Sequence, residues 1–292
     1  MRPNILNPGQ IIPYRHQSKL FYRTWNNKYL TISLAGYPTF LILFISFGYF
    51  YWSPSRFSRV AMMLFISGLI NAFLKDFFQD ARHAIELMLD PKVGTSYGWP
   101  SGHSQIAVTL WGLLAYELKN KWATVGAIII IILIAFSRMY LGVHDLGDVL
   151  AGLIIGGIIL LIWHYAVIND LYKSLSKRSW LILILAFQLI LYIFYPSHED
   201  HELSIWFLGV MTGWFSGASN INIISNPVKK LLISIFAICI VFLLLIVITK
   251  IESEIINAGL FGFIFSYSLG MTFSIVVTWV IPRLLRLARL AS

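Results

Sequence analysis

Apolar residues in this chain come in long, nearly unbroken runs rather than in the alternating or 3.6-residue patterns of water-soluble strands and helices. Runs of this length predict helices that cross a membrane, and their lack of strict alternation argues against a β-barrel. Nine spans are expected, over residues 29–52, 57–74, 104–118, 122–140, 149–167, 180–195, 203–220, 231–249 and 257–281. The seventh is the least regular, being Gly-rich and edged by Asn220 and Asn222. The predicted fold class is therefore all-α, a polytopic transmembrane helical bundle of about nine spans. A core of six helices covers 29–195, further transmembrane helices fill 196–292, and a polar, basic lead-in with scattered aromatics occupies 1–28. That lead-in reads as interfacial, because the apolar stretch after it is too long for a signal peptide and lacks a small-residue cleavage site. The mixed apolar and charged pattern of 76–89 predicts a segment lying along the membrane interface.

Composition agrees: the chain is 58% hydrophobic and only 12% charged, against about 25% charged in an average soluble domain. A net charge of +9 is compatible with nucleic-acid binding in general, but its distribution argues against that here. With nine spans, one side of the membrane collects Arg56, Arg59, Lys119, Lys121, Lys173, Lys177, Arg178, Lys229, Lys230, Arg283, Arg286 and Arg289, against a single acid in the connecting loops, Asp170. The basic side is expected to be cytoplasmic. The opposite side carries the acidic stretches 198–202 and 252–254 and every polar motif described next. Five basic residues of the lead-in fall on the minority side and run against this count. The lone cysteine, Cys239, lies in an apolar run and has no partner for an intrachain disulfide.

Three polar strings interrupt the apolar pattern on that side. In Ser137-Arg138-x5-His144-x3-Asp148, a helical reading of 142–153 sets His144 and Asp148 one turn apart on one face. A carboxylate there accepts a hydrogen bond from one imidazole nitrogen and leaves the other with its lone pair for attack. Pro100-Ser101-Gly102-His103 precedes an apolar run and reads as a turn feeding a helix N-terminus, where backbone N–H groups favour an anion and Gly102 allows close approach. His103 is then placed as an acid or base beside the bound group. Lys75 and Arg82 are spaced roughly two helical turns apart, so that both face one ligand. Three cations, two histidines, a carboxylate and an anion-receptive helix start suit phosphoryl transfer through a phosphohistidine.

The same set resembles the type 2 phosphatidic acid phosphatase superfamily, which includes lipid phosphate phosphatases, glucose-6-phosphatase and the vanadium haloperoxidases. Its signature of Lys-x6-Arg-Pro, Pro-Ser-Gly-His and Ser-Arg-x5-His-x3-Asp is matched in order and spacing over residues 75 to 148, with one departure: His83 stands where the family has Pro. The resemblance implies an integral membrane phosphatase with His144, His103 and Asp148 catalytic and Lys75, Arg82, Ser101, Gly102 and Arg138 binding phosphate. The substrate expected is a phosphomonoester or diphosphate on a lipid, embedded among membrane lipids. Neither a metal nor an organic cofactor is expected, and nucleic acid is not an expected partner. A phosphatase for a soluble sugar phosphate, favoured by the nine-span layout, is the nearer alternative. A transporter is the more distant one, against which stands the gathering of ionisable residues at one membrane edge. The expected location is a bacterial inner membrane, with the site facing the periplasm or exterior.

Overall fold

The computed structural model describes residues 19–82, 88–90, 96–171, 201–217, 226–255 and 260–291, with single positions at Ser176, Ser179, Ile182, Leu183 and Ala186. The described residues form nine helices: α1 (Lys19–Leu34), α2 (Pro38–Tyr51), α3 (Pro54–Phe78), α4 (102–118), α5 (Lys121–Tyr140), α6 (Leu146–Ile168), α7 (His201–Gly217), α8 (Pro227–Ile255) and α9 (260–287). One π turn interrupts α4 at Val108–Gly112, and another interrupts α9 at Val276–Val280. Five helices are long and apolar enough to cross a membrane, or six if α1 and α2 count as one bent span. The chain is thus a multi-pass membrane protein, but the expected count of nine spans is not reached among the described residues. Most of the expected span at 180–195 lies outside them.

Helix boundaries follow local chemistry. Ser53 caps α3, its Oγ accepting from the Arg56 N–H at 3.4 Å, with Pro54 in the first turn where its missing N–H costs nothing. Asn120 caps α5 by accepting from the N–H groups of Trp122 and Ala123 at 2.8 and 3.3 Å. The first expected span is not one helix. It breaks at Ala35-Gly36-Tyr37 and resumes at Pro38, with α1 and α2 inclined by 50°. Pro38 brings no N–H to carry the α1 ladder onward, and the residue before a proline is steered away from helical backbone. Of the interfacial segment expected over 76–89, residues 83–87 lie outside the described residues. Helix α3 runs on to Phe78 and ends where Gln79 adopts left-handed backbone at φ 49°, leaving 79–82 without helix.

Packing splits outward and inward faces as lipid demands. Ile128, Ile129, Ile132 and Phe136 of α5 and Ile154, Leu161 and Ile162 of α6 are exposed, a lipid-facing surface rather than a defect. Inward, Tyr49 of α2, Phe57 and Val60 of α3, Trp214 of α7 and Phe273 of α9 are buried in one continuous core. The Trp214 indole lies against Tyr49 and Phe65, its Nε1–H donating to Ser58 Oγ at 3.1 Å. Helices α7 and α9 touch backbone to backbone: a Cβ on Gly209 would sit 2.0 Å from Tyr267 O, and one on Gly213 would sit 2.3 Å from Met271 O. The glycines that make this stretch look a poor span are the contact surface itself. Gly152 and Gly156 do the same for α6 against α4, where added Cβ atoms would meet Ser101 O at 2.4 Å and Gln105 O at 2.8 Å.

Because no side chain fits at the α7–α9 contact, Gly209→Leu should lower unfolding stability in detergent titrations by about 1–3 kcal/mol or more. Gly126→Ala, where an added Cβ meets nothing within 4 Å, should leave it unchanged or raise it slightly. Equal effects from the two substitutions would contradict the packing described.

Candidate active site

The three polar strings meet at one end of the bundle. His144 lies in the loop 141–145, before α6 rather than within it, since α6 begins at Leu146 with Asp145 as its cap. The expected helix over 142–153 therefore starts late, because Asp145 and Asp148 form a reciprocal capping box. Asp145 Oδ1 accepts from the Asp148 N–H at 2.8 Å, and Asp148 Oδ2 accepts from the Asp145 N–H at 3.3 Å. The His144–Asp148 contact forms all the same, with Nδ1 2.9 Å from Asp148 Oδ2 and both residues buried. A carboxylate only accepts, so Nδ1 carries the hydrogen and Nε2 the lone pair.

Asp148 also ties in the second string: its backbone oxygen accepts from the Ser101 N–H at 3.0 Å. Ser101 is the N-cap of α4, but its side chain caps nothing; Ser101 Oγ accepts from Ser104 Oγ at 3.1 Å. A buried polar relay that sequence reading missed seats this turn on α3. Asn71 Nδ2 donates to Pro100 O at 3.2 Å and to Gln105 Oε1 at 2.9 Å, and Gln105 Nε2 donates to Ser67 O at 2.8 Å. The Ser67 and Thr109 hydroxyls close it at 3.1 Å. The only sequence signal for it is a set of polar residues, one or two turns apart, inside apolar runs.

Lys75 and Arg82 reach the same place by different routes, the first from the last turn of α3 and the second from the irregular stretch beyond it. Both hold the strand of chain entering the second string. Lys75 Nζ donates to Tyr97 O and, at 3.2 Å, to Gly98 O. Arg82 donates to Ser96 O, to Ser96 Oγ at 2.9 Å and to Val143 O at 3.4 Å, the last beside His144. Arg138 is 1% exposed and pairs through Nη1 with Asp90 Oδ2 at 3.0 Å and with Ser33 Oγ. All three cations thus make protein contacts, besides the phosphate contacts expected of them from sequence. His103 is packed edge-on to Tyr37, ring centroids 4.7 Å apart, and a Cβ on Gly36 would sit 2.3 Å from its ring. The break between α1 and α2 is therefore one wall of the site. Ser33, Gly36, Tyr37, Asn71, Asp90 and Gln105 all escaped the sequence reading. His83 lies outside the described residues.

Burial first, then the charges of Arg82, Lys75 and Arg138, pull the His144 pKa down from 6.5 to about 2, leaving a neutral imidazole hydrogen-bonded to Asp148 rather than an ion pair. Exposed Phe77 and Phe78 at the end of α3, half-buried Trp99 packed on Phe78 at 4.4 Å, and exposed Leu146, two residues after His144, give the polar cluster an apolar rim.

Residues 56–172 match the PAP2 superfamily. The chain is 29% identical over 151 residues to phosphatidylglycerophosphatase B of Bacillus subtilis, covering 47% of this chain and 73% of that protein. It is 32% identical over 120 residues to lipid phosphate phosphatase gamma of Arabidopsis thaliana, covering 37% and 52%. To undecaprenyl-diphosphatase of Sulfolobus acidocaldarius it is 41% identical over 70 residues, covering 24% and 32%, so it spans about half of the plant protein and a third of the archaeal one. The crystal structure of a transmembrane PAP2 type phosphatidylglycerolphosphate phosphatase from Bacillus subtilis is 26% identical, with a TM-score of 0.43 over 52% of this chain and 78% of that one.

A histidine buried neutral destabilises the fold in acid, because the unfolded chain takes up a proton below its pKa of 6.5 that the folded one refuses. Unfolding stability should therefore fall as pH drops from 6.5 to 5, His144 contributing up to about 1.4 kcal/mol per unit. His144→Gln should flatten that slope, and an unchanged slope would contradict the neutral, buried assignment.

Proposed function

We propose that the chain is an integral membrane phosphatase that hydrolyses a phosphomonoester or diphosphate carried by a lipid. The observation that carries this reading is the buried His144–Asp148 pair at 2.9 Å, with the charges of Lys75, Arg82 and Arg138 acting on the same imidazole. Nε2 of His144, its lone pair free because Nδ1–H is bound to Asp148, attacks phosphorus in line. The bond to the leaving oxygen breaks and a phosphohistidine forms. His103 gives the leaving oxygen its proton, then takes one from the water that cleaves the phosphorus–nitrogen bond. An ammonium has three N–H donors and a guanidinium five, so the cations that brace the loops also serve the equatorial oxygens. The N–H groups about Ser101 and Gly102, at the start of α4, add to that charge stabilisation. On this reading the cations do what magnesium does elsewhere, and turnover needs no metal.

The lipid preference is supported by the apolar rim of Phe77, Phe78, Trp99 and Leu146 and by the relatives, whose names specify phosphatidylglycerophosphate, lipid phosphate and undecaprenyl diphosphate. Purified in detergent, the protein should release phosphate from long-chain phosphorylated lipids at least about tenfold faster than from a short soluble ester, the difference of roughly two buried methylenes in binding. EDTA should leave the rate unchanged. His144→Ala should cost several orders of magnitude in kcat. More than about a tenth of wild-type activity in that variant would exclude the phosphohistidine route, and preference for the soluble ester would move the substrate to the sugar-phosphate class.

The charge count supports a site on the non-cytoplasmic face. In a Cys239→Ser background, a cysteine within 92–96 should react with an impermeant thiol reagent added to intact cells, and Lys121→Cys only after lysis. The reverse pattern would put the site in the cytoplasm and leave the chemistry standing.

A further inference from the structure

Asp90 belongs to none of the three strings, yet it sits at the centre of the contacts around Arg138. Its side chain is 1% exposed, and its Oδ2 accepts both from Arg138 Nη1 at 3.0 Å and from the Tyr37 hydroxyl at 2.6 Å. Ser33 Oγ lies against the same Nη1. The short stretch bearing Asp90 is itself anchored, Leu89 N–H donating to Leu141 O at 2.9 Å in the loop that carries His144. Tyr37 in turn packs edge-on against His103. One carboxylate thus fixes one edge of a guanidinium. The Nε of that guanidinium is buried without a partner among the described residues, and its charge acts on both histidines.

We propose that Asp90 is a positioning residue: with Tyr37 and Ser33 it clamps one edge of Arg138, so that the remaining N–H donors are held in the orientation that receives the transferring phosphoryl group. A guanidinium in a dry pocket with no clamp would turn to whichever carbonyl lay nearest, because unpaired buried donors are costly. With Nη1 committed to a carboxylate, that rotation is blocked, and pre-orientation of this kind is what stabilises a developing charge without reorganisation. Two of the three clamping groups, Ser33 and Tyr37, lie outside the 56–172 domain, so this chain completes an element of the site from its own N-terminal helices. The inference rests on the phosphatase reading for what Arg138 binds, but not for whether Asp90 orients it.

The test uses the full chain in detergent and vanadate as the probe, with its inhibition constant measured beside kcat/KM and the thermal midpoint. Asp90→Asn keeps the shape and removes the charge; it should weaken vanadate inhibition and lower kcat/KM by about tenfold or more, the scale of one charge-assisted hydrogen bond. Tyr37→Phe should act in the same direction by about threefold, a weaker neutral contact, and Asp90→Glu should recover part of the loss. In an Arg138→Gln background, Asp90→Asn should change neither quantity further, because the residue it acts through is gone. If Asp90→Asn cannot be purified folded, Tyr37→Phe and Asp90→Glu carry the test. Unchanged vanadate inhibition in the folded variants, or an equal loss in the Arg138→Gln background, would overturn the proposal. Vanadate binding followed by tryptophan fluorescence separates the two readings. A wild-type protein that binds vanadate but hydrolyses no ester ends the phosphatase reading, while weaker binding in Asp90→Asn still upholds the clamp.

Discussion

Asp148 holds the site together from both of its ends. Its carboxylate takes His144 Nδ1–H and the Asp145 N–H, and its backbone oxygen takes the Ser101 N–H. The first contact sets the imidazole, the second starts α6, and the third joins the N-terminus of α6 to that of α4. Helix packing accommodates this junction only because Gly152 lies one turn further along α6, where a Cβ would strike Ser101 O. The three bonds of one aspartate therefore depend on a glycine four residues away.

The remaining constraint is electrostatic. Lys75, Arg82 and Arg138 converge on two histidines, and like charges gathered where water is scarce repel one another strongly. The fold meets this with acceptors of two kinds. Neutral carbonyls of Ser96, Tyr97, Gly98 and Val143 receive Lys75 and Arg82, while a full carboxylate, Asp90, receives the most buried cation. Carbonyls leave the cations charged and attractive to an anion. They also pin down the chain that leads into the Pro-Ser-Gly-His turn. At the far ends of α3 and α4, Arg59 and Glu117 make a two-point ion pair at 2.6 and 2.8 Å, so the pair of helices bearing the polar relay is tied at that end as well.

Much of this was legible in the primary structure because the relevant signals are local. Runs of apolar residues announce helices, and His144 with Asp148 keep their relation whether or not the helix has already begun. Where reading failed, the deciding physics was not local. Lys75 and Arg82 look like two positions on one helix, but the chain leaves the helix at Gln79 and tertiary contacts bring Arg82 back. The apolar run 29–52 looks like one span, although Gly36 and Pro38 within it mark the break. Gly209 and Gly213 lower the apparent quality of a helix whose purpose is to approach another backbone. Asp90 carries no spacing signature at all; only a folded chain brings residues 33, 37, 90 and 138 to one point.

The bend between α1 and α2 has a consequence for how the site is encoded. A site wall drawn from residues 33–37 is encoded separately from the strings it serves, in a different part of the chain. Grafting residues 56–172 into a foreign membrane scaffold would carry every residue of the three strings, yet would leave Arg138 with Asp90 but not Ser33, Asp90 without the Tyr37 hydroxyl, and His103 without its aromatic neighbour. Modularity in this protein therefore ends inside the site, and a chimera that respects helix boundaries would still cut through it.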